Sequence, residues 1–268
     1  MSENIELLVK KANSGDKKAL EKVVVEIQDL IYNLSLKMLL FHEDANDATQ
    51  EILIKVITHL STFKGKSQFK TWVYRVATNY LLTKKGEKSK AYAISFDEYA
   101  DVIDTGQSDE VKYTQNTGEL ALLEEDVRIG CTQGLLLCLN ESDRLVYILG
   151  MILEFNSVEA SEMLGLTPEN FRKKLSRSKT KIQNFLSHKC GLVNPNNPCR
   201  CKRKIDFLIE KKGMDPKNLV YGSISNRKLD LSDKLSNIQR TVAIYREAPN
   251  FSAPEAILKE IRQILNIS

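Results

Sequence analysis

Hydrophobic residues recur at helical spacing through most of this chain, and strand-like alternation is hard to find, which constrains it to an all-α fold. Asn13-Ser14-Gly15-Asp16 breaks an opening helix. Lys17 to Leu40 then sets Leu20, Val23, Val24, Ile27, Ile31, Leu34 and Met38 on one face, predicting a helix that faces a core. A third helix is expected after His42-Glu43-Asp44, running through Ile52 and Val56 to about Leu60, with a loop over Ser61 to Lys66. A fourth follows Ser67, read as its N-cap, and aligns Phe69, Trp72, Val73, Val76 and Tyr80. Of these, Phe69, Trp72 and Tyr80 are expected in the core.

Between Ser95 and Gly118 the chain turns acidic and polar with little periodicity, which reads as a flexible linker. Helical patterning returns at Glu119 and lasts to about His188, where Asn194-Pro195-Asn196-Asn197-Pro198 forces an irregular stretch. From about Lys202 to Ser268 the pattern is again helical, with Pro254 set to open the last helix. The expected division is therefore a helical domain over 1–92, an acidic linker over 93–120, a second helical domain over 121–188 and a mostly helical extension over 189–268.

Hydrophobic residues make up 42% and charged residues 28%, which excludes a largely disordered chain. No window approaches the roughly 20 apolar residues of a membrane-spanning helix, and Met1 to Lys10 lacks the order of a signal peptide, so no membrane partner and a cytoplasmic location are expected. In that compartment Cys131, Cys138, Cys190, Cys199 and Cys201 are expected as thiols or metal ligands, not disulfides. Neither a phosphate-cradling glycine loop nor a nucleophile-and-base constellation is present, and no enzymatic activity is expected. A net charge of +4 is too small to announce a nucleic-acid binder, so the placement of charge decides.

Three segments carry that placement. Asn156 to Lys181 reads as a helix-turn-helix: Ser157 caps a short helix, Gly165 takes a positive-φ turn, and Thr167-Pro168 caps and opens a second helix. Phe171, Leu175, Ser178 and Ile182 form its inner face. Thr167, Glu169, Arg172, Lys173, Ser176, Arg177 and Thr180 supply an outer face suited to phosphates and base edges in a major groove. A basic amphipathic surface helix is the plainer reading of the same residues.

Asp44, Asp47 and Glu51 fall at i, i+3 and i+7, an acidic stripe able to receive a basic protein, although acids also favour the first turn of any helix. From Phe63 to Lys90, aromatic residues alternate with cations and no acid precedes Glu87, the equipment of a single-stranded DNA surface.

DANDATQEILIKVITHLSTFKGKSQFKTWVYRVATNYL resembles the second conserved region of the bacterial extracytoplasmic-function sigma factors, a branch of the sigma-70 family. LNESDRLVYILGMILEFNSVEASEMLGLTPENFRKKLSRSKTKI is similar to that family's fourth region. The resemblance implies a subunit that binds core RNA polymerase through its largest-subunit coiled coil and directs it to promoter DNA. Asp44, Asp47, Gln50 and Glu51 would grip the polymerase. Phe63, Lys64, Lys66, Ser67, Lys70 and Asn79 would capture the melted −10 element, and Thr167, Glu169, Arg172, Lys173, Ser176 and Arg177 would read the −35 duplex. It also leaves a place for an anti-sigma factor. Pro168, Asn170, Phe171 and Ser161 depart from the residues usual in relatives, which bears on the −35 sequence that is read.

His188, Cys190, Cys199 and Cys201 form H-x-C-x8-C-x-C, a ligand set suited to zinc but with unorthodox spacing; redox sensing and incidental thiols are the other readings. Residues 189 to 268 look like an extension that regulates the factor, and no cofactor is required for the implied activity. The main alternative is a one-component helix-turn-helix regulator sensing metal or redox state through these cysteines. A helical adaptor that contacts polymerase without reading DNA is the other.

Overall fold

The computed structural model describes residues 4–83, 93–221 and 235–265. Among these residues the chain is helical, and its sole β-type pairing is an isolated bridge between Cys190 and Cys199. The first four helices are α1 (Ile5–Asn13), α2 (Lys17–Leu39), α3 (His42–Thr58) and α4 (Phe69–Thr83). Next come α5 (Phe96–Asp104), α6 (Thr117–Leu136) and α7 (Glu141–Tyr147), which continues into a wider π-type turn over Ile148–Ile152. The remainder is α8 (Ser157–Leu164), α9 (Pro168–Lys189), α10 (Ile205–Glu210), α11 (Asn237–Arg246) and α12 (Glu255–Leu265). None of these helices is long and apolar enough to cross a membrane.

The contacts gather the described residues into two compact units that do not follow chain order. One holds residues within 1–91, 155–173 and 250–268; the other holds residues within 92–154 and 174–249.

In the first unit, α2 is the central element. Asp16 caps it by accepting from Ala19 N at 3.0 Å, and Val23, Val24, Ile27, Ile31, Leu34 and Met38 are buried as their spacing predicts. Helices α1, α3 and α4 pack around it. The C-terminal segment returns to the same helix. Asn33, itself buried, donates its Nδ2 to Phe251 O at 2.7 Å and accepts from Phe251 N at 2.9 Å, while Ala253 N donates to Asp29 Oδ1 at 2.8 Å. Pro254 then opens α12 as expected, and the helix buries Ile257 and Ile261. Each such buried aliphatic side chain contributes on the order of 2 kcal/mol. Arg262 reaches Glu21 at 2.6 Å at the open end.

In the second unit, the segment expected as an acidic linker contains α5, closed by a capping box in which Ser95 and Glu98 exchange bonds of 3.1 and 2.8 Å. Tyr99 Oη donates to Cys131 O at 2.7 Å and Phe96 packs on Phe185, which fasten α5 inward while its acids face water. Beyond it, Asp206 accepts from Lys112 N at 2.7 Å, and Val111 joins the core formed by Leu123, Val127, Ile205 and Met214. Lys204, buried, donates to Val102 O at 2.8 Å and also to Thr105 O, holding carbonyls at the end of α5.

Arg144 caps α6 in the same manner. Its buried guanidinium donates to Leu136 O at 2.9 Å and Leu139 O at 3.1 Å, and burial lowers its pKa to about 10. These carbonyls are the orphan acceptors of a helix end and have no water to turn to. Arg144→Met, which keeps most of the volume, is expected to lower stability by about 2 kcal/mol through those acceptors. Urea unfolding checks it; an unchanged midpoint would show that the carbonyls find other partners.

Candidate functional site

The acidic stripe stands on a rigid backing. On α3, Ala45, Ala48, Ile52, Leu53 and Val56 are buried, Asp47 and Glu51 are exposed, and Asp44 and Gln50 are half-exposed. Tyr32 and His42 Nδ1 share a hydrogen bond of 2.5 Å that fixes the helix start to α2. Only Glu43 and Asp44 occupy the first turn. The helix dipole acts within that turn, so it accounts for neither Asp47 nor Glu51. Asp47 and Glu51 are therefore exposed carboxylates whose place on α3 the dipole does not explain.

The loop before α4 is shaped by Gly65, whose φ of 69° lies in the left-handed region. Lys64 Nζ bonds Ser61 O at 3.1 Å, and Lys66 projects into solvent with Lys64. Phe63 is edge-on to Phe69, with ring centroids 5.2 Å apart, and lies 5.8 Å from Trp72. Phe69 and Tyr80 are buried as expected, whereas Trp72 is half-buried and shares the open side of α4 with the exposed Asn79. Ser67 is half-buried, and α4 starts at Phe69, one residue later than a cap at Ser67 would place it. Lys70 is exposed and sits 5.9 Å from the Tyr74 ring centroid. The result is an aromatic floor with cations at its rim, suited to an unstacked base and its phosphates. The remaining cations of this stretch, Lys84, Lys85, Lys88 and Lys90, lie outside the described residues.

The helix-turn-helix forms with one change of cap. Asn156, not Ser157, caps α8, accepting from Glu159 N at 3.0 Å within a capping box, because the amide side chain one residue earlier reaches both Val158 N and Glu159 N. Ser157 instead accepts from Arg172 Nη1 at 3.1 Å. Gly165 ends α8 at φ 64°, and Thr167 caps α9 by accepting from Asn170 N at 3.2 Å. Phe171, Ser178 and Ile182 are buried and Leu175 is half-buried. Thr167, Glu169, Arg172, Lys173, Ser176 and Arg177 are all exposed. Glu169, the one acid on α9, pairs with Lys173 at 2.7 Å, so the outer face is cationic along the rest of its length.

The cysteine segment is built differently from its spacing. Cys190 and Cys199 pair as a backbone bridge, and a side chain at Gly191 would strike Cys199 O, which explains the glycine there. Asn197 donates to Ser187 O at 3.0 Å and Cys190 O at 3.2 Å, and Arg200 donates to Cys199 O at 2.8 Å and Pro195 O at 2.8 Å. The Asn-Pro run is thus a hydrogen-bonded knot at the end of α9. Cys131, from α6, lies near enough to the Cys190 and Cys199 thiols to sense their charge, as does Cys201. His188 is exposed, with Nδ1 2.7 Å from Asn184 O. Among the described residues no group of three or more His, Cys, Asp or Glu side chains is arranged to hold a metal ion. Burial pushes every thiol pKa upward, to about 12 for Cys131 and about 11 for Cys199. Sequence spacing passed over Cys131 because only the fold brings α6 to this knot.

Residues 23–90 match the Sigma-70 region 2 family. The ECF RNA polymerase sigma factor SigW of Bacillus subtilis is 26% identical over 183 residues, covering 66% of this chain and 94% of that protein. The RNA polymerase sigma-H factor of Pseudomonas aeruginosa is 38% identical over 72 residues, which are 27% of this chain and 37% of the relative. The ECF RNA polymerase sigma-E factor of Escherichia coli is 37% identical over 81 residues, 30% of this chain and 42% of its own.

Thiol chemistry offers a direct check on the cysteine knot. With pKa values near 11 to 12, the thiolate fraction at pH 8 falls to on the order of 0.1% or less, and reactivity follows the thiolate. Cys131 and Cys199 in the native chain are expected to react with an aromatic disulfide reagent at least about 100-fold more slowly than in the unfolded chain, as mass mapping of the labelled sites reads. Rapid labelling of either in the native state would contradict this and favour a redox sensor.

Proposed function

We propose that this chain is a member of the extracytoplasmic-function branch of the sigma-70 family, to which it is similar, and that it binds core RNA polymerase, brings it to promoter DNA and helps separate the strands there. The observation that carries the proposal is the pairing of two surfaces on one helical unit. The exposed Asp47 and Glu51 of α3 offer a protein-docking face, and the aromatic and cationic loop from Phe63 to Lys70, with Asn79, offers a base-capturing one.

Each residue has a physical task in this reading. Asp44, Asp47, Gln50 and Glu51 receive basic and polar groups of the coiled coil of the polymerase's largest subunit. Lys64, Lys66 and Lys70 neutralise phosphates, and Phe63 and Trp72 supply ring surface to an extruded base. Extrusion costs a few kcal/mol of stacking, which ring contact and hydrogen bonds from Ser67 and Asn79 offset. Arg172, Lys173 and Arg177 engage the −35 backbone and base edges, with Thr167 and Ser176 as hydroxyl partners and Glu169 as an acceptor for a base donor. No bond is made or broken by the chain itself. An anti-sigma factor is a natural regulator of such a subunit, and the acidic stripe is the surface that it would compete for.

The one-component alternative requires a sensor. The raised thiol pKa values weigh against the cysteines in that role.

The deciding experiment is in vitro transcription with purified chain, bacterial core polymerase and a pool of promoter fragments. New start sites are expected that require the chain, and Asp47→Lys is expected to reduce them at least about tenfold, equivalent to about 1.4 kcal/mol of docking energy. Duplex binding without core polymerase, together with no new transcripts, would overturn the proposal in favour of a stand-alone regulator.

A further inference from the structure

The chain approaches the helix-turn-helix through a backbone that its own residues do not favour. Helix α7 widens into the π-type turn over Ile148–Ile152, and Leu153 N closes that turn by donating to Ile148 O at 2.9 Å. Such wide turns are rare and frequent at functional sites. Glu154 follows at φ 58°, in the left-handed region that glycine or asparagine ordinarily fills at a helix end and where a glutamate is strained. Ser157, three positions further on, opens α8 and accepts from Arg172, one of the candidate base-reading side chains.

Arg246 answers this strain from the C-terminal extension, as the last residue of α11. Its Nε donates to Met151 O at 2.8 Å, one of the acceptors that a helix end leaves orphaned, and its Nη1 lies 2.7 Å from Glu154 Oε1. One planar guanidinium thus ties the turn to the strained residue, a geometry that the point charge of a lysine does not reproduce. The Arg246 and Glu154 side chains are 36% and 62% accessible, so the ion pair by itself is weak in water. Its anchoring decides the matter. Ile244 and Tyr245 are buried, Arg128 donates to Ile244 O at 3.2 Å, and Tyr245 meets Tyr147 of α7 edge-on at 5.5 Å. The backbone of α11 is already fixed by these contacts, and the guanidinium gives up little further freedom in making its two bonds.

We propose that Arg246 is a positioning residue for −35 recognition. It holds Glu154 in the left-handed conformation, which sets the direction in which the chain passes through Phe155 and Asn156 into α8, and so where Ser157 presents Arg172. The tolerance is narrow, because the Asn156 side chain must accept from both Val158 N and Glu159 N at 3.0 Å to start α8. The proposal rests on the promoter-binding reading above. It makes α11 a working part of the DNA-reading machinery, not a detachable regulator.

The test uses the full chain with core polymerase on a promoter fragment drawn from the pool above, and on the same fragment with its −35 element scrambled. The ratio of transcripts from the two reads −35 discrimination, whereas loss of folded chain lowers both alike. Arg246→Ala is expected to lower the ratio at least about fivefold, the range of one good base contact, with transcription from the scrambled fragment unchanged. Arg246→Lys is expected to fall with it. Adding Glu154→Gly to Arg246→Ala is expected to restore the ratio to within about twofold of the parent, because glycine takes a positive φ without help. In the free protein, amide exchange at Leu153 is expected to speed about five- to tenfold in Arg246→Ala, with the buried amides of α6 unchanged. An unchanged ratio in Arg246→Ala, a ratio that Glu154→Gly does not restore, or unchanged exchange at Leu153 would overturn the assignment. Failure of the promoter-binding reading shows separately, as an absence of transcripts from the parent chain on either fragment at every concentration, and the assignment would fall with it.

Discussion

Burial of α2, on one face near its start and on every side from Ile31 to Met38, is the constraint from which the candidate surfaces follow. Helices α1, α3, α4 and α12 all pack on this helix, and each is left with one side to spare. The acidic side of α3 and the aromatic, cationic side of α4 are the faces that packing did not use. Asp47 and Glu51 point to water because Ala48, Ile52 and Val56 cannot. The same burial makes these faces rigid, and rigidity is what a docking surface needs if ordering it is not to consume the binding energy.

Charge is segregated within a chain that is nearly neutral. A net charge of +4 conceals an acidic stripe on α3, a cationic rim on the α4 loop and an α9 whose single acid is neutralised by Lys173. Segregation at this scale acts over about one Debye length, roughly 8–10 Å at physiological salt, so an acidic face and a cationic one can coexist on one small unit. The buried cations serve a different purpose: Arg144 and Lys204 answer helix-end carbonyls and are part of the scaffold.

Local chemistry was legible in the sequence. The helical period located α2 and α4 to within a residue or two, whereas α3 begins at His42, three residues before the expected start; Gly165, Thr167 and Pro168 announced the turn of the helix-turn-helix because each residue type answers a local backbone requirement. Long-range pairing was not legible. Asn33 and Phe251 are 218 residues apart, and nothing in either neighbourhood marks them as partners. The same holds for Cys131 and the knot around Cys190 and Cys199, and for Thr78 and Met163. Helix α5 was passed over because nine residues are too few to establish a period, although Ser95 and Glu98 spell its capping box. The cap of α8 went to Asn156 because two adjacent residues of capping type compete and only geometry separates them.

In the function proposed above, the aromatic and cationic loop before α4 holds DNA strands apart once the chain sits on polymerase. Permanganate footprinting of a promoter fragment tests it most directly, since the reagent attacks thymines that have left the stack. Reactive thymines near −10 are expected only when chain and core polymerase are both present, and are expected to be lost in a chain carrying Asn79→Ala and Lys66→Ala. Reactivity that persists undiminished in that variant, or that never appears with the parent chain, would contradict it.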